Sequence, residues 1–282
     1  KYLEPIPQRK SAVSLACLTV VTRKLRIYMV LPENEVILEA SSRWVYCEFL
    51  EDAGLELKMP QLTIATAIVF CHRFYAWQPR SKTRLDIFSI ATASLFLAGK
   101  VEETPKPLRE VVRISYLVQF KNDHERAAKE IFQKVLVSTY HTCCACFVRI
   151  FSCSLQDCYL ERQDDILEAE RIILHTLGFE FNVEHPYRHL LNAVKRVTRA
   201  QTVNESLSRG LAQVAWNFAN DSLRTTLSLQ YTAYEIAVSV LYLASKLMST
   251  LKLSSNWLAD YEIKQGVCEK ISHQIMDLYE EY

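Results

Sequence analysis

Glycine is scarce in this sequence. Only Gly54, Gly99, Gly178, Gly210 and Gly266 occur in 282 residues, under 2% where about 7% is usual. That excludes folds built on many tight turns. It also excludes the glycine-rich loops that cradle phosphates, because neither a GxGxxG nor a Walker A pattern can be written from five isolated glycines. Proline is missing from 108 to 185 and again after Pro186, so long segments run without a breaker. Charge of one sign is lacking as well. The formal net charge is +1, which disfavours a general nucleic-acid binder. No uninterrupted apolar run reaches the ~18 residues of a membrane span. The nine cysteines are not spaced as a disulfide framework. Five crowd residues 143–158 and four lie among apolar neighbours, as in proteins of a reducing compartment.

Half of the residues are hydrophobic and 23% are charged, which is enough to bury a large core. With few breakers and much apolar surface, the fold class is all-α. Local charge is uneven. The first 30 residues hold six lysines and arginines against Glu4 alone, and residues 257–282 are acidic. Residues 12–22, "AVSLACLTVVT", imitate a signal-peptide core without a small-x-small cleavage site. They are assigned to an N-terminal extension, 1–38.

The periodicity predicts a helix over 36–53, closed by Gly54 as its C′ residue. A second helix opens at Pro60 and runs to Gln78. It is apolar on nearly every side and belongs at the centre of a bundle. A third covers 83–100, a fourth runs from Leu108 to about Phe120, and a fifth covers 164–178. The pattern then restarts with helices at 184–197, 203–221 and 232–248 and two further helical segments within 256–282. The third helix repeats: "IATASLFLAGK" (90–100) aligns with "IAVSVLYLASK" (236–246) at six of eleven positions. A period of 146 residues is too long for a solenoid and implies two copies of one helical domain.

One residue is out of place. The fifth helix collects Ile166, Ala169, Ile173 and Leu177 on one face, and Glu170 falls within that stripe. A carboxylate there needs a cation or an outlet to water. Lys100, which ends the third helix, is the candidate partner.

The string "FLAGKVEETP" (96–105), "FCHRFY" (70–75) and "LGFEFNVEHPY" (177–187) resemble the cyclin family. Together with "WNFANDSLRTTLSLQY" (216–231) they are most similar to its transcription-type members, the cyclin T and cyclin K group. The resemblance implies two tandem five-helix cyclin boxes, the first over 39–181 and the second over 182–282. It also implies a nuclear regulatory subunit, not an enzyme, that forms a heterodimer with a cyclin-dependent kinase. Such a subunit needs no cofactor, metal, nucleic acid, membrane or small-molecule substrate. The kinase implied by this branch phosphorylates the RNA polymerase II C-terminal domain in transcription elongation. Carried onto this chain, the kinase interface comprises Leu97, Lys100, Val101, Glu102, Glu103, Glu170, Leu174, Phe179 and Phe181. The departures are specific. The docking patch that cell-cycle cyclins carry as MRAIL reads Ser42, Arg43, Trp44, Val45 and Tyr46 here, and His72 stands before Arg73 where those cyclins tend to have Asp.

Residues 135–160 have no counterpart in the family. Cys143, Cys146, Cys153 and Cys158, with His141, lack the spacing and turn residues of a zinc module. The segment is read as a loosely packed insertion or as translated intron sequence. The alternative function is a promoter-bound general transcription factor with the same double repeat, which would require a basic face. Among the seven histidines, only His185 and His189 share an i, i+4 spacing. They are read as surface residues at a helix start.

Overall fold

The computed structural model describes residues 33–121, 147–200, 204–248 and 257–280, and among these every regular element is helical. Two compact units emerge, one spanning Leu38–Arg188 and one built mainly of His189–Tyr282.

The first unit contains α1 (Glu33–Glu56), α2 (Gln61–Trp77), α3 (Ile87–Val101), α4 (Leu108–Gln119) and α5 (Phe147–Leu177). Pro60 sits at the N-cap of α2, where its fixed φ suits a helix start. α2 is buried without interruption from Thr63 to His72 and packs against α3 and α5, which makes it the central rod its composition predicts. Phe70, Phe74, Ile64, Ile68, Leu50, Ile90, Leu95 and Ile173 fill the core and are fully buried. α3 begins at Ile87, four residues later than its apolar run suggests. Asp86 accepts the Phe88 backbone N–H and fixes the start as an N-cap. The Arg80 guanidinium donates to the Leu85 carbonyl, holding the preceding bend.

Two expectations are corrected. Gly54 does not close α1 but lies inside it. The left-handed C′ position is taken by Lys58 (φ 53°), in a Schellman motif in which Met59 N–H bonds Gly54 O (2.9 Å) and Lys58 N–H bonds Leu55 O (2.9 Å). What position 54 requires is closeness: a Cβ there would lie 2.5 Å from Ile64 Cγ1. We expect Gly54→Ala to destabilise the fold by about 1–2 kcal/mol, because overpacking against a buried isoleucine outweighs the gain in helix propensity. Urea unfolding measures this, and an unchanged or raised midpoint would refute the close approach.

The second correction concerns α5. It starts at Phe147 and not at 164, so the backbone of residues 147–163 continues the helix. Neither glycine nor proline interrupts the sequence from 108 to 177, so nothing local stops it from extending. Residues 135–146, with His141, Cys143, Cys144 and Cys146, lie outside the described residues, as does the extension up to residue 32.

The second unit contains most of α6 (Pro186–Ala200), then α7 (Glu205–Asp221), the short α8 (Leu227–Gln230), α9 (Ala233–Leu247) and α10 (Gln265–Glu280). Turns of 3-10 helix occupy Ser222–Arg224 and Trp257–Tyr261. Helix α9 packs against α7 and α10. Its start is a capping box: Thr232 Oγ1 accepts the Glu235 N–H, and the Glu235 carboxylate accepts the Thr232 N–H. Leu211, Leu227, Ala237, Leu241 and Ile271 form this unit's core. Asn204 caps α7.

Candidate functional site

The site is the corner where α3 ends against α5. Lys100 Nζ donates to Glu170 Oε1 at 2.7 Å. The ammonium also lies 3.9 Å from the centroid of the Phe96 ring one turn back, within cation–π range. The two partners are unequal. The Glu170 side chain is 11% exposed and that of Lys100 45%. The carboxylate is therefore the group that depends on its partner, while the ammonium keeps donors free for solvent or another protein. The α3 C-terminus adds a favourable dipole end for the cation.

The turn after Lys100 is tied down on three sides. Glu103 takes a left-handed φ of 55°, and Thr104 N–H bonds back to Gly99 O at 2.8 Å, a second Schellman closure. A Cβ on Gly99 would meet Met59 Cε at 2.9 Å and the Thr104 carbonyl at 3.2 Å, so the glycine lets the chain fold back over the helix. The hydroxyls of Thr104 and Thr63 are 2.9 Å apart. Thr66 Oγ1 donates to Glu102 Oε1 at 2.7 Å. That hydroxyl has one proton, so at its 2.7 Å contact with His185 Nε2 it accepts, and His185 is fixed as the neutral Nε2–H tautomer. The chain His185 to Thr66 to Glu102 thus pins the acidic corner to α2. Burial, helped by the Arg73 guanidinium, holds the His185 imidazole down at about 4.

The segment after α5 is held by Arg73, whose guanidinium donates to the carbonyls of Glu180 (3.1 Å) and Asn182 (3.0 Å). Gly178 and Phe179 both have positive φ, 60° and 61°. This backbone turns Phe179 outward, 60% exposed, with its ring edge-on to Phe181 and His175. Phe181 in turn meets Phe70 of the core.

The structure joins Lys100 to Glu170 directly. Val101, Leu174 and Phe181 are half-buried and Glu103 is exposed. Glu102 is engaged with Thr66 and is more than an acidic rim. Leu97 differs from the rest: at 4% exposure it is a core residue that offers almost no surface. Sequence reasoning missed Phe96, Thr66, Arg73 and His185 as parts of the corner. It placed His185 at the surface, whereas it is buried. His189 stands half-buried, edge-on to the Tyr234 ring. A charged Arg73 in an otherwise buried helix was the available signal.

At the altered docking patch, Tyr46 and His72 are both buried, and Tyr46 Oη lies 2.6 Å from His72 Nδ1. The tyrosine ring stacks on Tyr75. The His in place of Asp thus serves packing between α1 and α2. Cys47, Cys71 and Cys268 are buried, and burial pushes the Cys71 thiol up to about 12, which suppresses thiolate chemistry there. Among the described residues no helix is long and apolar enough to cross a membrane, and no His, Cys, Asp and Glu group has metal-binding geometry.

Known proteins agree with this architecture. The cyclin N-terminal domain family matches residues 15–182. Cyclin-T1-4 of Arabidopsis thaliana is 42% identical over 247 residues, covering 86% of this chain and 40% of that protein. Cyclin-T1-3 of Oryza sativa subsp. japonica is 42% identical, covering 86% and 44%. The chain therefore spans less than half the length of these relatives. A chain in the crystal structure of the yeast RNA Pol II CTD kinase CTDK-1 complex shares the fold, with a TM-score of 0.57 at 19% identity over 88% of this chain and 72% of that one. With a cyclin domain matched across more than half of its length and cyclin T relatives across most of it, the chain belongs to the cyclin family, in its transcription-type, cyclin T-like branch.

Proposed function

We propose that this chain is the regulatory subunit of a nuclear cyclin-dependent kinase that phosphorylates the C-terminal domain of RNA polymerase II, and that its two cyclin boxes occupy 39–181 and 182–282. The carrying observation is the 2.7 Å Lys100–Glu170 pair, set beside Val101, Leu174 and the outward-turned Phe179. A kinase of this class needs a strand lysine paired with the glutamate of its αC helix. The apolar rim buries that helix only when it is rotated inward. The ammonium, with donors left over after bonding Glu170, fixes its direction. Binding thereby favours one conformer, which shifts the population without chemistry by this chain. The yeast RNA Pol II CTD kinase CTDK-1 complex, one chain of which shares this fold, and the cyclin T relatives support the substrate class.

The test is reconstitution with a CTD-directed cyclin-dependent kinase. Moving a kinase from about 1% active to nearly all active raises its rate about 100-fold, and phosphorylation of a CTD peptide should rise on that order when this chain is added. A stable complex with no stimulation, or no complex with any such kinase, would overturn the reading.

A further inference from the structure

The second unit carries a copy of the Lys100 corner that lacks its carboxylate. Lys246 occupies the position of Lys100 in the internal repeat, and Tyr242 that of Phe96. The stacking is repeated, with Lys246 Nζ 5.3 Å from the Tyr242 ring centroid. The neutralising partner is not repeated. In α5 the buried positions run Ile166, Ala169, Glu170, Ile173; in α10 they run Cys268, Ile271, Ser272, Ile275 with the same spacing. Ser272, buried, therefore stands in register with Glu170, and a hydroxyl cannot offset an ammonium. The acids Glu102 and Glu103 align with Met248 and Ser249 in the repeat, and no carboxylate occurs in the sequence from 247 to 259.

What surrounds Lys246 is also built. Tyr242 stacks on Trp257 (6.2 Å, 10° between planes). Trp257 meets Tyr261 edge-on at 5.3 Å, and the Arg196 guanidinium lies 5.1 Å from the Tyr261 centroid. This aromatic ladder has a cation at each end. Beyond it, α6 contains no acid, and its exposed residues include Leu191, Lys195, Arg196 and Arg199. Leu247 is 68% exposed beside Lys246. Among the described residues no ion pair is made by Lys195, Arg199 or Lys246.

We propose that this face of the second unit docks an acidic segment of a partner protein, whose carboxylate takes on Lys246 the place that Glu170 takes on Lys100, and whose neighbouring aliphatic side chain covers Leu247. Trp257 and Tyr261 are buried, 7% and 5% exposed, so they hold the cations in place and offer no faces on which bases could stack, as single-stranded nucleic acid requires. Cations interleaved with exposed leucines fit a peptide of acidic residues flanking an aliphatic one. This goes beyond the kinase contact and uses different residues.

The test is a peptide array of 12-residue segments, each with Leu or Ile among neutral, basic or acidic flanks, probed with the whole chain. Selected peptides are then titrated by fluorescence anisotropy. Acidic-aliphatic peptides should be enriched, their affinity should fall with salt, and Lys246→Glu should weaken them about tenfold or more, with Lys246→Arg retaining most of the affinity. Lys100→Glu should leave this binding unchanged and Lys246→Glu should leave kinase binding unchanged, which separates this surface from the first. An array with no acidic preference, equal binding by Lys246→Glu, or Lys246-dependent binding of a single-stranded RNA 12-mer more tightly than of any peptide would overturn the proposal.

Discussion

Exchanging the two charges of the α3–α5 corner, Lys100→Glu with Glu170→Lys, is expected to restore the fold and abolish kinase binding. The single variants set the frame. Lys100→Ala leaves a carboxylate that is 11% exposed without its cation, at a cost of about 1–3 kcal/mol. Glu170→Ala leaves an ammonium that is 45% exposed, lies on the Phe96 ring and can be hydrated, so its cost stays below about 1 kcal/mol. The exchange puts an ion pair back and should return stability to within about 1 kcal/mol of the parent. The partner's helix, however, meets the charges in reversed order. An anchor of opposite sign at the centre of an interface costs about 100-fold in affinity. Urea unfolding of the four proteins and titration against the kinase give the two readouts. If the exchanged variant binds the kinase as tightly as the parent, the pair only staples two helices together and the proposed interface is wrong.

That pair is legible in the sequence because of a local contradiction. Glu170 lies between Ala169 and Ile173 on an apolar stripe, and a buried carboxylate demands a cation. The central helices are equally legible, since 61–77 offers no breaker and no polar face. What stays hidden is set by distant residues. Gly54 carries the local signature of a helix end, yet its role depends on Ile64 arriving from the next helix. His185 follows a polar stretch and precedes a proline, which suggests a surface turn. Its burial follows from Thr66, 119 positions away. The α5 start is obscured for a different reason: the cysteine-rich composition between 143 and 158 suggests irregular structure, while the absence of breakers is the stronger indication. Lys246 shows the converse limit. The repeat reveals its position, but only the packed ladder of Tyr242, Trp257 and Tyr261 separates it from a lysine that merely caps a helix.

Acid should destabilise the fold through His185. Its imidazole titrates near 4 in the fold and near 6.5 in an unfolded chain. The fold thus favours the neutral ring, and the stability this provides is complete above pH 6.5. As pH falls from 6.5 to 4, the unfolded chain takes up a proton that the native chain refuses. Stability is lost progressively over that window and the loss levels off below it. The difference corresponds to about 3 kcal/mol. Carboxylates titrate in the lower part of the same range, so the informative quantity is the difference between the parent and His185→Gln, whose amide can still donate to Thr66 Oγ1. At pH 7 the variant should be within about 1 kcal/mol of the parent. By pH 4 it should have gained about 3 kcal/mol relative to it. Urea midpoints at pH 7, 5.5 and 4 suffice, and parallel pH dependences for the two proteins would show that His185 is not held neutral.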